Sequence, residues 1–174
     1  LLEDMNNLNL QNIFSLNTNA IKNIIEINPL IEKYEIIKKY PNSLDIKIKK
    51  TKFLARINHN GETFLIGNNG KLSKKNYSKE ELPYIFGKPQ INEFLEFKKV
   101  IDKSNIQYHE IKSLFYFESK RWDIKLKNNI IIKLPKDIKK ETLDVIMAFL
   151  NDKKFQNSII LDARIINQII VVNE

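Results

Sequence analysis

From Ala55 onward the chain runs in short alternating stretches broken by asparagine- and glycine-bearing turns, and this pattern commits it to a sheet built of hairpins. Ala55–Asn58 and Glu62–Gly67 flank Asn60-Gly61, a pair that accepts the positive φ angles of a two-residue hairpin turn. Asn68-Asn69-Gly70 supplies a second tight turn at once. Gln107–Phe117, Arg121–Leu126 and Ile130–Leu134 read as further strands, the last two joined at Asn128-Asn129, and Ser158–Ala163 with Ile166–Val172 close the chain. Two helical patterns interrupt the strands. Gln90–Lys103 puts Ile91, Phe94, Leu95 and Ile101 on one face, and Asp137 can cap a helix to about Asn151 with Leu143, Ile146, Met147 and Leu150 inward. Tyr77–Pro89 reads as a polar, proline-punctuated link that ends in Leu82-Pro83-Tyr84-Ile85-Phe86-Gly87.

The residues before this sheet form a smaller unit. Leu1–Met5 reads as the end of a helix and Asn9–Leu16 as an irregular connection. Asn17 or Thr18 can cap a helix through Ile27, with Ile21, Ile24 and Ile25 on one face, and Pro29 ends it. Leu30–Tyr40 reads as a strand, Pro41-Asn42-Ser43 as a turn, and Leu44, Ile46 and Ile48 alternate with Asp45, Lys47 and Lys49 in a half-buried strand. The fold class is therefore α+β: a small helix/strand domain over residues 1–53, then a larger β-sheet domain with flanking helices over 54–174. Lys52-Phe53-Leu54-Ala55 joins them with no flexible linker. Two strands alone make the first unit marginal, so a further strand is expected upstream. The chain opens at Leu1 without a methionine, as a fragment would.

Charge and composition exclude more than they assign. At 174 residues and 43% hydrophobic, the chain can bury a core. Its 29 basic and 21 acidic residues leave a formal charge of +8, which raises a basic nucleic-acid-binding domain as one reading. The bases are nearly all lysine; Arg56, Arg121 and Arg164 are the only arginines, and arginine is the residue that forks onto phosphate and guanine. No nucleic-acid partner is expected. With no cysteine there is no disulfide or thiolate chemistry. No apolar run approaches the roughly 20 residues of a membrane span.

An active site requires converging polar groups, and the sequence offers none. His59 falls in a hairpin loop and His109 in a strand, each without a second ligand at metal spacing. Glu80-Glu81 and Glu3-Asp4 fit capping charges at a helix start and a chain end better than a catalytic pair. The four glycines form no phosphate-binding loop. The expectation is a non-enzymatic protein with no cofactor and no metal. Lys47–Lys52 fits the wet face of an amphipathic strand. In Phe115-Tyr116-Phe117-Glu118-Ser119-Lys120-Arg121-Trp122, the residues Phe115, Phe117 and Trp122 fit strand core positions better than a base-stacking platform.

The strongest β-former is the end of the chain, Ile159–Arg164 and then Ile165–Val172, free of charge after Arg164 until Glu174. At a sheet edge, its unpaired backbone groups would accept another strand; in a sheet interior they would not.

These residues resemble the FtsQ/DivIB family of cell-division proteins. Asn28-Pro29-Leu30-Ile31, Lys39-Tyr40-Pro41-Asn42-Ser43 and the alternating strand that follows are similar to a POTRA domain, as is Asn12-Ile13-Phe14-Ser15-Leu16. Arg121-Trp122-Asp123-Ile124-Lys125-Leu126-Lys127-Asn128-Asn129-Ile130 with Leu134-Pro135 is similar to the family's Arg-Trp-Asp-Leu-x-Leu-x-Asn-Gly-Ile and Leu-Pro stretch. Leu161-Asp162-Ala163-Arg164 resembles its Ile-Asp-Leu-Arg, and Phe64–Gly70 its strand and turn before the helices. The matches run in family order along nearly the whole chain. There are departures: Asn129 stands at a usual glycine, and of the Glu-Arg-x-Pro-x-Ala joint only Ala55 remains.

The resemblance implies a single-pass inner-membrane protein, anchored by a helix outside this chain, with its bulk in the periplasm at the division site. It implies a divisome scaffold that binds small FtsB- and FtsL-type proteins, with other division proteins meeting the POTRA domain. Partner capture would proceed by strand addition at the C-terminal edge. The matching positions are Arg164, Ile165, Ile166, Asn167, Gln168, Ile169, Ile170, Val171 and Val172, with Lys120 and Arg164 facing partner carboxylates. A POTRA-bearing adaptor of outer-membrane assembly or secretion is the other reading of the first unit.

Overall fold

The computed structural model describes residues 18–74, 81–152, 158–165 and 168–173. The expected elements at 1–5 and 9–16, a cap at Asn17, and the positions Ile166 and Asn167 lie outside them.

Among the described residues, the first unit is one helix on a two-stranded sheet. Helix α1 (Thr18–Ile27) buries Ile21 and Ile25, one turn apart, against Ile31, Tyr34, Ile36, Leu44 and Ile46. Strands β1 (Ile31–Lys39) and β2 (Ser43–Lys50) are antiparallel, with Tyr34 opposite Ile48 and Ile36 opposite Ile46. Lys47 and Lys49 alternate to the other face, where Lys47 meets Glu35 at 3.2 Å and Lys49 meets Glu32 at 2.8 Å.

Among the described residues, the second unit is a nine-stranded mixed sheet in the order β11-β10-β9-β8-β7-β6-β3-β4-β5. Its strands are β3 (Phe53–His59), β4 (Glu62–Gly67), β5 (Leu72–Ser73), β6 (Tyr84–Phe86), β7 (Ile111–Tyr116), β8 (Trp122–Leu126), β9 (Ile131–Lys133), β10 (Ser158–Asp162) and β11 (Ile170–Asn173). Helices α2 (Ile91–Lys103) and α3 (Lys140–Asn151) pack against it. Strand parity divides the two faces. Ile85, Leu114, Ile124, Ile132, Leu161 and Val171 form one row across six strands. They share a core with Phe94, Phe97 and Ile101 of α2 and Leu143 and Ile146 of α3, each fully buried Leu or Ile contributing about 1.5–3 kcal/mol. The adjacent row, Phe86, Phe115, Asp123, Lys133, Asp162 and Ile170, belongs to the opposite face.

Several expectations are corrected. The supposed link before Pro89 contains β6, an interior strand parallel to both β3 and β7; Leu82 and Ile85 are buried. No helix starts at Glu81, which pairs instead with Lys127 at 3.0 Å; Glu80 lies outside the described residues. His109 is in a short 3-10 turn, Tyr108–Glu110, that precedes β7. Helix α3 starts at Lys140, with Lys139 as its N-cap, so Asp137 is not the cap. Trp122 is core at 4% exposure, but Phe117 is exposed beyond the end of β7 and Phe115 is half-buried on the open face. Parity accounts for Phe115: it stands one residue from buried Leu114 and therefore faces the other way.

The two units meet through backbone groups. The Asn69 amide donates to the carbonyls of Pro29 at 3.0 Å and Ile31 at 2.8 Å, while its Oδ1 accepts from the Lys71 N–H at 3.1 Å. One side chain from the Asn68-Asn69-Gly70 turn thus satisfies two carbonyls where β1 begins.

Candidate partner-binding edge

Among the described residues, β11 has a neighbour on its β10 side only. Its pairing is antiparallel, with Ile160 opposite Val172, Leu161 opposite Val171 and Asp162 opposite Ile170. The direction of its hydrogen bonds follows from β10. The Ala163 N–H donates across to the Lys133 carbonyl on the β9 side at 2.9 Å. N–H and C=O groups alternate sides along a strand. Leu161 therefore shares the β9 side with Ala163, while Ile160 and Asp162 turn toward β11. The hydrogen-bonded pairs are then Ile160/Val172 and Asp162/Ile170, and the Val171 N–H and C=O point away from the sheet. Side chains follow the other alternation: Val171 packs on the core, and Ile170 and Val172 are 43% and 46% exposed on the open face.

The remaining sequence-predicted positions are not equivalent. Ile169 packs on the core and Gln168 is exposed, its N–H donating to the Ile165 carbonyl at 3.2 Å. Ile165 is 55% exposed. Regular strand begins at Ile170, later than the expected start at Ile166.

Arg164 is held by an internal carboxylate. Its Nε donates to both oxygens of Asp162 at 2.8 and 3.0 Å, its Nη2 to Oδ2 at 2.5 Å, and its backbone N–H to Oδ1 at 3.1 Å. These bonds keep the Asp162 carboxyl below its ordinary pKa of 3.8, the Arg164 guanidinium contributing most. The contribution to stability is thus full above the ordinary value and lost as pH falls through the lower folded one. On acid titration, the Asp162 carboxylate signal should move below the ordinary aspartate range. Protection of the Arg164 amide, relative to its intrinsic exchange rate, should be lost only there; loss of protection at pH 5 would show that the fork does not hold this segment.

Lys120 is in the turn before β8, three strands in from β11, at the same end of the sheet as Arg164. It adopts φ 63, a backbone state that costs a non-glycine residue about 1–2 kcal/mol, and its Nζ lies 3.6 Å from Glu93. Glu93 also accepts from the Gln90 N–H at 2.9 Å at the start of α2. Between Lys120 and Arg164 stands Asp123, 5% exposed, whose Oδ1 accepts from Arg121 Nε and from the Leu134 N–H, both at 3.3 Å. Burial raises its pKa, against the pull of Arg121. In the sequence Asp123 stands out only as part of the Arg121-Trp122-Asp123 motif; a lone acid in an alternating strand beside Arg121 is the signal that points to this role.

Among the described residues, no group of histidine, aspartate and glutamate is placed to hold a metal, and no helix is long and apolar enough to cross a membrane. His59 ends β3 with its ring edge-on to Phe64 at 5.9 Å.

Comparison with known proteins fits this architecture. Residues 1–50 match the POTRA domain, FtsQ-type, and residues 55–164 match the C-terminal domain of cell division protein FtsQ/DivIB. The chain is 28% identical over 155 residues to the cell division protein FtsQ of Rickettsia bellii, covering 83% of this chain and 55% of that protein. It is 23% identical over 160 residues to FtsQ of Bradyrhizobium diazoefficiens, covering 90% of this chain and 47% of the relative. A shorter stretch of 67 residues is 40% identical to cell division protein DivIB of Clostridium tetani, covering 38% of this chain and 25% of that one. The chain thus spans about half the length of the FtsQ relatives it matches. With the FtsQ/DivIB C-terminal domain covering well over half of its residues, this chain belongs to the FtsQ/DivIB family of cell-division proteins.

Proposed function

We propose that this chain serves bacterial cell division as a non-enzymatic scaffold, capturing a partner strand along β11. In this reading it is the periplasmic part of a single-pass inner-membrane protein at the division site. Its partners are small FtsB- and FtsL-type proteins, and the POTRA unit is left for other division proteins. The observation that supports strand capture is the outward-directed N–H and C=O of Val171 on a strand whose only neighbour among the described residues is β10. Backbone pairing supplies the affinity in this mode, and alternate side chains supply register. Ile170 and Val172 would cover one face of the incoming strand. Arg164, already forked onto Asp162, lends little free charge; Lys120 is the looser cation, so charge reversal there should slow association more at low salt than at high.

The test is proline substitution read by binding of an FtsB periplasmic segment. Val171→Pro removes an outward donor and spares the β10 ladder, so it should weaken binding roughly tenfold or more while circular dichroism is retained. Ile170→Pro removes a ladder donor and should instead loosen β11 itself. Val171→Ile should bind normally. Unchanged affinity in folded Val171→Pro would sink the edge mechanism and turn attention to the POTRA unit.

A further inference from the structure

The open face of the sheet carries, three strands away from the edge pair β10–β11, an aromatic strip beside a basic cleft. Phe86 and Phe115 are register partners that stack at 5.0 Å, their planes 11° apart, and Tyr84 closes on Phe86 at 4.8 Å. Phe86, the middle ring of the three, remains 46% exposed. Next to Tyr84 lies a cavity of about 210 Å³ lined by Arg56, Glu81, Tyr84, Lys112, Ser113 and Lys127, among others. Arg56 is fixed there by Nε and Nη2 bonds to the Leu82 carbonyl at 3.1 and 2.9 Å. Lys127 reaches the Glu81 carboxylate at 3.0 Å, and the Glu81 side chain is 73% exposed. Three cations thus surround one loosely covered carboxylate. Their combined field holds Glu81 below the usual carboxylate range, Lys127 contributing most and Arg56 and Lys112 adding to it.

We propose that this cleft and strip form a second partner site, which takes an acidic segment of a partner protein. One carboxylate of that segment enters among Arg56, Lys112 and Lys127, and an apolar side chain covers Phe86. Charge complementarity argues for this occupant: the cleft has an excess of two positive charges and already accepts a carboxylate from Glu81. A nucleic-acid strand is the poorer fit. Phe86 and Phe115 already stack on each other and Tyr84 closes on Phe86, whereas successive bases require successive free platforms.

The site is independent of strand capture at β11, and the experiment separates them. Amide shifts of the isotope-labelled chain would be followed on adding acetyl-Asp-Glu-Phe-Leu-Asp-amide at low salt. Parallel titrations use the same peptide with serine for its phenylalanine and leucine, inorganic phosphate, and a short oligothymidylate. The acidic apolar peptide should shift Tyr84, Phe86, Lys112 and Ser113 and leave Ile170 and Val171 unmoved. Phe86→Ser and Lys127→Gln, both surface changes, should each weaken it about tenfold; the arginine, anchored to Leu82, is left intact so that folding is preserved. No shift at millimolar peptide, no effect of Phe86→Ser, or equal response to phosphate or oligothymidylate would each overturn the proposal.

Discussion

Trp122→Ala is expected to lower the unfolding free energy by about 3–5 kcal/mol and the thermal midpoint by roughly 10 °C. The indole is 4% exposed. It lies parallel to Phe97 of α2 at 4.8 Å, 8° between planes, with Tyr116 at 4.8 Å and Phe94 at 6.3 Å. Truncation would therefore open a cavity where α2 docks on the sheet, and the rings around it would lose their shared contacts. Trp122→Phe keeps an aromatic face against Phe97 and should cost clearly less. Binding at β11 should survive in the fraction that stays folded, because α2 and β8 are separated from that edge by β9 and β10. An unchanged midpoint with lost partner binding would make Trp122 a surface contact and refute the packing described here.

Much of the fold was legible because it is local. Alternation in β7, β8 and β9, the Asn60-Gly61 turn and the apolar stripe of α2 are each carried within a few consecutive residues. Asn129 also follows from local chemistry: it adopts φ 70, a state asparagine tolerates better than most residues, so the substitution at a usual glycine position is accommodated. Strand β6 was not legible. Three residues between Pro83 and Gly87 carry too little alternation to register, and both neighbours pair with it in parallel from distant parts of the chain. The candidate edge was legible as a strong β-former, but the outward direction of Val171 depends on the register of β10 with β9, a property of the assembled sheet. The Asp162–Arg164 fork was within reach, since residues two apart in a strand lie on one face. Sequence reading assigned Arg164 to a partner and overlooked the nearer carboxylate.

Gly87→Ala should be the most damaging single methyl addition in the sheet. Gly87 has φ +100, and a Cβ built there would sit 2.3 Å from the Tyr116 carbonyl oxygen and 3.1 Å from its carbon. The obstacle is backbone, which cannot swing aside as a flexible side chain would. Relief requires moving the end of β6 away from β7, where Phe86 faces Phe115. Left-handed strain costs an L-residue about 1–3 kcal/mol and overpacking another 1–3 kcal/mol, so the total should be roughly 2–6 kcal/mol. Gly61→Ala is the control: φ is +84 but nothing lies within 4 Å of the added carbon, so only the strain remains. The difference between the two variants isolates the close approach of the backbone. It should appear as faster amide exchange along β6 and β7 and as loss of the Phe86–Phe115 stack, with the β10–β11 ladder unaffected. If Gly87→Ala proved no more destabilising than Gly61→Ala, the tight seam between β6 and β7 would be wrong, and with it the placement of the aromatic strip on the open face.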